Sequence, residues 1–374
     1  MQESYHHFCR PVDSRHNQSS SQQSVDILSI PVQIEDKRPL IGKTLVELQT
    51  VALECGLPRF AGRQIADWIY AKRVEDIDSM TNLSKNARRV LSERYTVGRR
   101  PPLERTCSKD GTVKYLFPGN GDCDIESVMI PDKDRATLCI SSQAGCRMAC
   151  KFCMTGHMGF HGNLSSTTII NQLLSVDESD KLTNTVFMGM GEPLDNLDEV
   201  LKSIEILTAD WGFAWSPKRI TVSTIGRPKE LKRILDETKV HVALSLHHPF
   251  PDKRAEIMPV EKAYHAADVL KLIREYDFTK QRRFSVEYIM WDGINDDMRH
   301  ADAIARLLKG TAARVNLIRY HATPYFKGKA PDQKKMEAFR DRLNELGVTA
   351  TIRASRGEDI MAACGMLSTK SRTT

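Results

Sequence analysis

No stretch of the chain holds the roughly eighteen consecutive apolar residues that a membrane-spanning helix needs, so no membrane association is expected. The first 26 residues, MQESYHHFCRPVDSRHNQSSSQQSVD, also lack the apolar segment of an export signal. They read as a disordered polar tail, and the expected location is the reducing cytoplasm. No coiled-coil heptad and no internal repeat is visible. The nine cysteines are an odd number without the even spacing of a disulfide framework, so metal binding or catalysis is considered first.

What is present suits a globular protein: 374 residues, 41% hydrophobic and 27% charged, enough for a barrel-sized domain with a small companion. The net charge of +6 is concentrated. Lys85, Arg88, Arg89, Arg94, Arg99, Arg100 and Arg105 are opposed locally only by Glu93 and Glu104. Together with Lys280, Arg282, Arg283, Arg314 and Arg319 they suit an anionic partner such as RNA, although each charge taken singly reads as a solvated face.

The segments LIGKTLVELQTVALECG, RQIADWIYAK and SKNARRVLSERY carry apolar residues at three- and four-residue spacing and predict a small helical N-terminal domain over residues 27–105. Over residues 106–133, TVKYLF and DIESVMIP switch to period two and predict a connecting hairpin. From residue 134 to 374 strands and amphipathic helices alternate. The strands are TLCISS, TVFMGM, RITVST, VHVALSLH, FSVEYIM, VNLIRY and VTATIRA. This order predicts an α/β fold, a partial or full (β/α) barrel with its site at the C-terminal ends of the strands.

Just after the first barrel strand comes QAGCRMACKFC, which places Cys146, Cys150 and Cys153 in one CxxxCxxC loop. Structural zinc wants four closed ligands, usually from paired CxxC elements, whereas three cysteines on a cubane leave one iron open. Gly191-Glu192-Pro193 follows TVFMGM, Ser223 ends RITVST, and Ser245-Leu246-His247 ends VHVALSLH. Alone, these are a turn and ordinary strand-end polar residues. On the residues alone, Cys139 reads equally well as a small buried hydrophobe and Cys364 as packing for a C-terminal turn.

The cysteine spacing at this place in a βα pattern, with Phe152 before the third cysteine, resembles the radical S-adenosylmethionine (SAM) superfamily. That resemblance implies a [4Fe-4S] cluster on Cys146, Cys150 and Cys153, whose open iron binds SAM and cleaves it to a 5′-deoxyadenosyl radical. It also implies that Glu192 accepts hydrogen bonds from the ammonium of SAM, with Gly191, Ser223, Ser245, Leu246 and His247 as further cofactor contacts.

RATLCISSQAGCRMACKFCMTGHMGFHGNLS, FMGMGEPLDN, VSTIG, LSLH and RGEDIMAACG together are similar to the RlmN/Cfr family of RNA adenine methyltransferases over nearly all of residues 40–367. Adenine C2 is an electrophilic amidine carbon with no lone pair to attack a sulfonium methyl, so radical addition is the route that chemistry leaves. The family resemblance implies that two SAM molecules serve each turnover. Cys364 is methylated first, its methylene radical then adds to the base, Glu126 takes the proton, and Cys139 resolves the adduct through a transient disulfide with Cys364. Where many members have an asparagine that contacts SAM, this chain has His321. Cys9, Cys55, Cys107 and Cys123 have no such context and read as structural.

The RlmN branch implies methylation at C2 of an adenosine in 23S rRNA at the peptidyl-transferase centre and of the adenosine beside the tRNA anticodon. It further implies an electron donor such as a flavodoxin-type protein, and a monomer is expected. The Cfr branch, C8 methylation of the same rRNA base, shares these residues and is the alternative. A zinc-stabilised, non-catalytic RNA-binding protein is the reading from another class. A methylthiotransferase would need a second cysteine triad upstream of Cys139, which the spacing does not offer.

Overall fold

The structure, a computed structural model, describes residues 37–278 and 282–369. The tail at residues 1–26, Cys9, and the basic residue Lys280 lie outside the described residues.

Among the described residues three helices come first. α1 (Leu45–Glu54) is started by Thr44, whose hydroxyl accepts from the Glu47 amide while the Glu47 carboxylate accepts from the Thr44 amide at 2.7 Å. That reciprocal pair satisfies two amides the first turn leaves open. Leu48, Val51 and Ala52 bury its inner face. α2 (Ala61–Ala66) continues as one wide turn over Asp67–Ala71, and α3 (Lys85–Arg94) is capped by the Ser84 hydroxyl. A short parallel pairing of Arg38–Pro39 with Tyr95–Thr96 closes the unit. It docks tightly: Ser166 and Thr167 hydroxyls donate to the carbonyls of Gly42 and Ile41, both at 2.9 Å.

Ten strands form one sheet: β1 (Glu104–Cys107), β2 (Val113–Asn120), β3 (Cys123–Asp132), β4 (Arg135–Cys139), β5 (Asn184–Phe187), β6 (Ile220–Thr224), β7 (His241–Ser245), β8 (Phe284–Met290), β9 (Arg314–Arg319) and β10 (Ala350–Ile352). β4 to β10 run parallel in sequence order, and β1 to β3 extend the β4 edge as an antiparallel wing. β1 and β10 end the sheet without pairing each other, so the barrel is the partial one.

Helices cross over between the parallel strands: α4 (Met154–His157) and α5 (Ser166–Leu174) after β4, then α6 (Leu197–Thr208), α7 (Pro228–Glu237), α8 (Pro251–Ile257), α9 (Ala266–Ile273), α10 (Met298–Leu308) and α11 (Gln333–Glu345). Covered on both faces, strands such as FSVEYIM need apolar residues at nearly every position. The crossovers bring the C-terminal ends of β4 to β9 to one rim. No helix among the described residues is long and apolar enough to cross a membrane.

Candidate active site

At that rim one cavity is lined by Cys146, Cys150, Cys153, Gly191, Glu192 and Cys364, with Ser223, Ser245, His247 and Glu287 also in its wall. The cysteine loop leaves β4 through a short strand, Gln143–Gly145, which pairs with Phe160–Asn163 and so folds the loop back on itself. Gly145 has a φ of 69°, and a Cβ there would lie 2.0 Å from the Gly159 carbonyl oxygen. Only glycine fits that crossing.

Cys146 receives an amide from Met148, and Cys153 receives amides from Gly156 and Thr155. Burial raises all three thiols, Cys146 to about 12, and neighbouring negative charges add to the shift at Cys146 and Cys150. Among the described residues no three His, Cys, Asp or Glu side chains converge as one metal ion would require. A cubane binds each sulfur through a different iron, so its ligands need not converge. Three thiols around one buried space, two of them with amides aimed at the sulfur, fit an iron–sulfur cluster.

Glu192 is buried and accepts from the Thr224 hydroxyl at 2.6 Å, the Ile225 amide at 3.0 Å and the Leu194 amide at 3.1 Å. Burial outweighs those donors and pushes its carboxyl up to about 7. Gln143 fixes the turn by accepting the Glu192 amide and donating to Asp195, and Arg147 and Arg227 flank Asp195.

His247 is buried with φ 53°, a left-handed conformation held by its neighbours. Its Nδ1 accepts the Ile289 amide at 3.1 Å, so the proton of the neutral ring sits on Nε2. Burial first, then nearby Arg254, lowers its pKa to about 3. Phe152 and Trp291 pack on the ring at 5.0 and 6.3 Å between centroids. Below them buried Arg254 donates to the carbonyls of Leu246, Ile225 and Ser245 and pairs with Glu261. This one guanidinium ties together the ends of β6 and β7.

Cys364 sits on the segment after β10. That segment is fastened on one side to the antiparallel wing: Gly357 amide to Asp110, Ser108 hydroxyl to Asp359, Ser368 amide to Glu126 at 2.9 Å, Thr369 hydroxyl to the Asp124 carbonyl. On the other side the Met154 amide donates to the Gly365 carbonyl at 2.8 Å and the Thr155 hydroxyl to the Leu367 carbonyl at 2.7 Å. The stitching holds Cys364 over the cysteine loop. The residue is accessible from outside, while the protein packed around its thiol raises it and Arg353 partly offsets that.

Cys139 is buried, its sulfur facing the Met188 amide; burial, then the charge of nearby Cys364, pushes it up to about 12. Both thiols are free, and no disulfide occurs among the described residues. Glu126, buried on β3, pairs with Lys114 at 2.9 Å, and burial raises its carboxyl against that pairing. Glu287 accepts from Asn316 at 2.7 Å and stands 3.4 Å from Arg353.

Two sequence candidates lie elsewhere. Leu246 points into the main core, since neighbours along a strand alternate. His321 bonds Ser355 at 3.2 Å and lies 3.3 Å from Glu358, beside the Cys364 segment rather than in the cavity wall. Part of the basic set is also committed to structure. Arg282 is buried on the Leu235 carbonyl, Arg99 donates to the carbonyls of Arg73 and Leu174, and Arg105 pairs with Asp177. The sequence reading did not single out Arg254, Glu287, Asp195 or Trp291, whose partners are distant in the chain.

Comparison with known proteins agrees with this geometry. Residues 140–304 match the Radical SAM superfamily model, and residues 39–97 match the model described as ribosomal RNA large subunit methyltransferase N-terminal domain. A protein of Porphyromonas gingivalis named probable dual-specificity RNA methyltransferase RlmN is 58% identical, covering 90% of this chain and 95% of its own. The dual-specificity RNA methyltransferase RlmN of Desulfotalea psychrophila is 43% identical, covering 87% and 94%. The crystal structure of a radical SAM methyltransferase from Sphaerobacter thermophilus superposes with a TM-score of 0.82 at 36% identity, covering 88% of this chain and 99% of that one. The enzyme is therefore a methyltransferase that uses a [4Fe-4S] cluster and SAM, and the chain belongs to the RlmN family of radical SAM RNA methyltransferases.

Proposed function

We propose that the enzyme methylates C2 of an adenosine in 23S rRNA and of the adenosine beside the tRNA anticodon, by way of a methylated Cys364. The observation that carries this reading is that Cys364, far away in sequence, shares a cavity wall with Cys146, Cys150, Cys153 and Glu192. In this reading the three loop cysteines hold the cluster and Gly191, Glu192, Ser223, Ser245 and His247 hold SAM. The carboxylate of Glu192 has three lone-pair directions used by Thr224, Ile225 and Leu194, which leaves one for the ammonium. Leu246 takes part through its carbonyl, which orients Arg254. When bound and reduced, cluster and SAM supply a hydrogen-abstracting 5′-deoxyadenosyl radical.

The residues of the chain do the rest. Cys364 carries the methyl carbon and presents it to the base as a methylene radical, which needs no lone pair on C2. Glu126, held by Lys114 and Ser368, takes the proton from C2; burial suits a carboxylate to that exchange. Once the adduct radical has given up its C2 proton to Glu126 and one electron, which the cluster would accept, the Cys139 thiolate attacks the sulfur of Cys364: the S–S bond forms as the S–CH2 bond breaks, and the freed carbon takes up a proton to become the methyl group. A flavodoxin-type protein supplies the electrons, and the protein works as a monomer.

The test is nucleoside mass spectrometry of RNA incubated with reconstituted enzyme, reductant and SAM, beside Cys364→Ala. 2-Methyladenosine with the intact thiol and none with the variant is the expected result. 8-Methyladenosine would overturn the C2 assignment.

A further inference from the structure

The face around the cysteine loop carries more than the catalytic groups. Tyr325 is 55% exposed, yet one side of its ring is stacked on His157, centroids 4.1 Å apart and planes 18° from parallel. The imidazole is pinned in turn, because its Nε2 donates to the Lys151 carbonyl at 2.9 Å. Three residues on, exposed Phe160 has the Arg147 guanidinium over one face at 3.8 Å. Each ring thus has one face closed by a flat neighbour.

Tyr325 is held out deliberately. It lies in a tight turn bridged between Thr323 and Phe326, and the Tyr320 hydroxyl locks that turn by donating to the Phe326 carbonyl at 3.0 Å and accepting the Thr323 amide at 3.1 Å. Phe326 packs down onto Trp291 at 5.4 Å, so a buried aromatic braces the turn that lifts Tyr325 into solvent. With one face stacked on His157 and the residue otherwise exposed, the rigidly mounted Tyr325 ring offers a flat partner a surface to stack on.

Charge narrows the partner. From Gln143 to Val176, and again from Val315 to Pro331, the chain has no Asp or Glu. Arg147, Lys151, Lys327 and Lys329 are exposed within those segments. Asp195, which reaches this face from elsewhere, is flanked by Arg147 and Arg227, and Glu256 is paired with Lys253. Asp292, bonded through its amide to the Lys329 carbonyl, is paired with Lys335, and Glu358 stands 3.3 Å from His321, so the acids that reach these segments from elsewhere each have a basic neighbour. Flat rings among these cations match unstacked nucleotides, whose bases stack on aromatics while cations meet the phosphates.

We infer that the Tyr325–His157 stack, with Phe160–Arg147 beside it, is a platform on which bases flanking the target adenosine stack while that adenosine is extruded toward Cys364. This rests on the proposed RNA reaction. It adds the residues that would hold the displaced strand.

The experiment measures binding of a fluorescent RNA stem-loop to the cluster-loaded enzyme by anisotropy over a salt series, for wild type, Tyr325→Ala, Tyr325→Phe and Lys327→Ala. Iron content and thermal unfolding report that each variant is folded. Tyr325→Ala is expected to bind about tenfold more weakly or worse, as loss of one base stack implies, with an unchanged salt slope. Tyr325→Phe keeps the affinity, and Lys327→Ala lowers the salt slope by about one. Wild-type affinity in Tyr325→Ala overturns the platform. So does normal RNA binding in that variant combined with slowed reduction by an acidic redox protein, which would make the face a docking site for the electron donor. Failure of wild type to methylate RNA that it binds through Tyr325 would sink the proposed reaction and leave the platform standing.

Discussion

The Ser368 amide donates to Glu126 Oε2 at 2.9 Å, which joins the strand bearing the proposed proton acceptor to the segment bearing Cys364. A Gln at position 126 keeps an acceptor for Ser368 but loses the ion pair with Lys114 and the ability to take a proton. Glu126→Gln is expected to lower RNA methylation by about 10²-fold or more, the usual weight of a general base. Methylation of Cys364 itself, followed by peptide mass spectrometry, should persist. Loss of both would make Glu126 a scaffold residue only.

Cys139 lies close enough to Cys364 that charge on one raises the other, and the Met188 amide faces its sulfur. Replacing it by Ala removes the proposed attacking thiol while leaving the methyl carrier. Cys139→Ala should therefore accumulate a protein–RNA adduct, seen as a retarded band on a denaturing gel. The adduct should be missing from wild type and from the Cys139→Ala, Cys364→Ala double variant. A Cys139→Ala enzyme that turns over normally removes this residue from the reaction.

Much of the site was legible because local spacing carried it. Cys146, Cys150 and Cys153 fall in one short loop, and Gly191-Glu192 closes a strand, so strand-end logic expects them at one rim, and they line one cavity there. The same logic misplaced Leu246, although period-two alternation along SLH puts Ser245 and His247 on one side and Leu246 on the other. Other parts left no local trace. Glu126 meets Ser368, and Arg254 gathers carbonyls from two strands; both pairings follow from tertiary packing. Positive charge gave an ambiguous signal for the same reason: Arg282 and Arg99 spend theirs on buried carbonyls.

The Arg254–Glu261 pair is almost wholly buried and supports the cavity floor at the ends of β6 and β7. Removing one partner strands the other charge in a dry site, at a cost of about 3–5 kcal/mol. Arg254→Met should lower the free energy of unfolding, read from a denaturant titration, by that amount and reduce cluster retention. Adding Glu261→Gln to it should restore part of the stability, since no uncompensated charge is then left. Equal destabilisation in single and double variants would mean that the lost carbonyl bonds, not the stranded charge, dominate.

Glu192 supplies a pH dependence whose sign follows from its burial. In the protein without SAM its carboxyl is pushed up to about 7, so it is mostly ionised at pH 8 and mostly protonated at pH 6. The proposed partner is the ammonium of SAM, which needs the carboxylate and keeps its own proton on the acid side of pH 7. SAM affinity should fall about tenfold per unit as the pH drops below 7, because each unit removes nine-tenths of the ionised carboxylate. Anaerobic equilibrium dialysis of the reconstituted enzyme between pH 5.5 and 8.5 measures this directly. Glu192→Gln should bind SAM weakly at every pH and abolish the slope. A wild-type affinity that stays level across pH 7 would show that Glu192 keeps its charge there, or that SAM does not meet it.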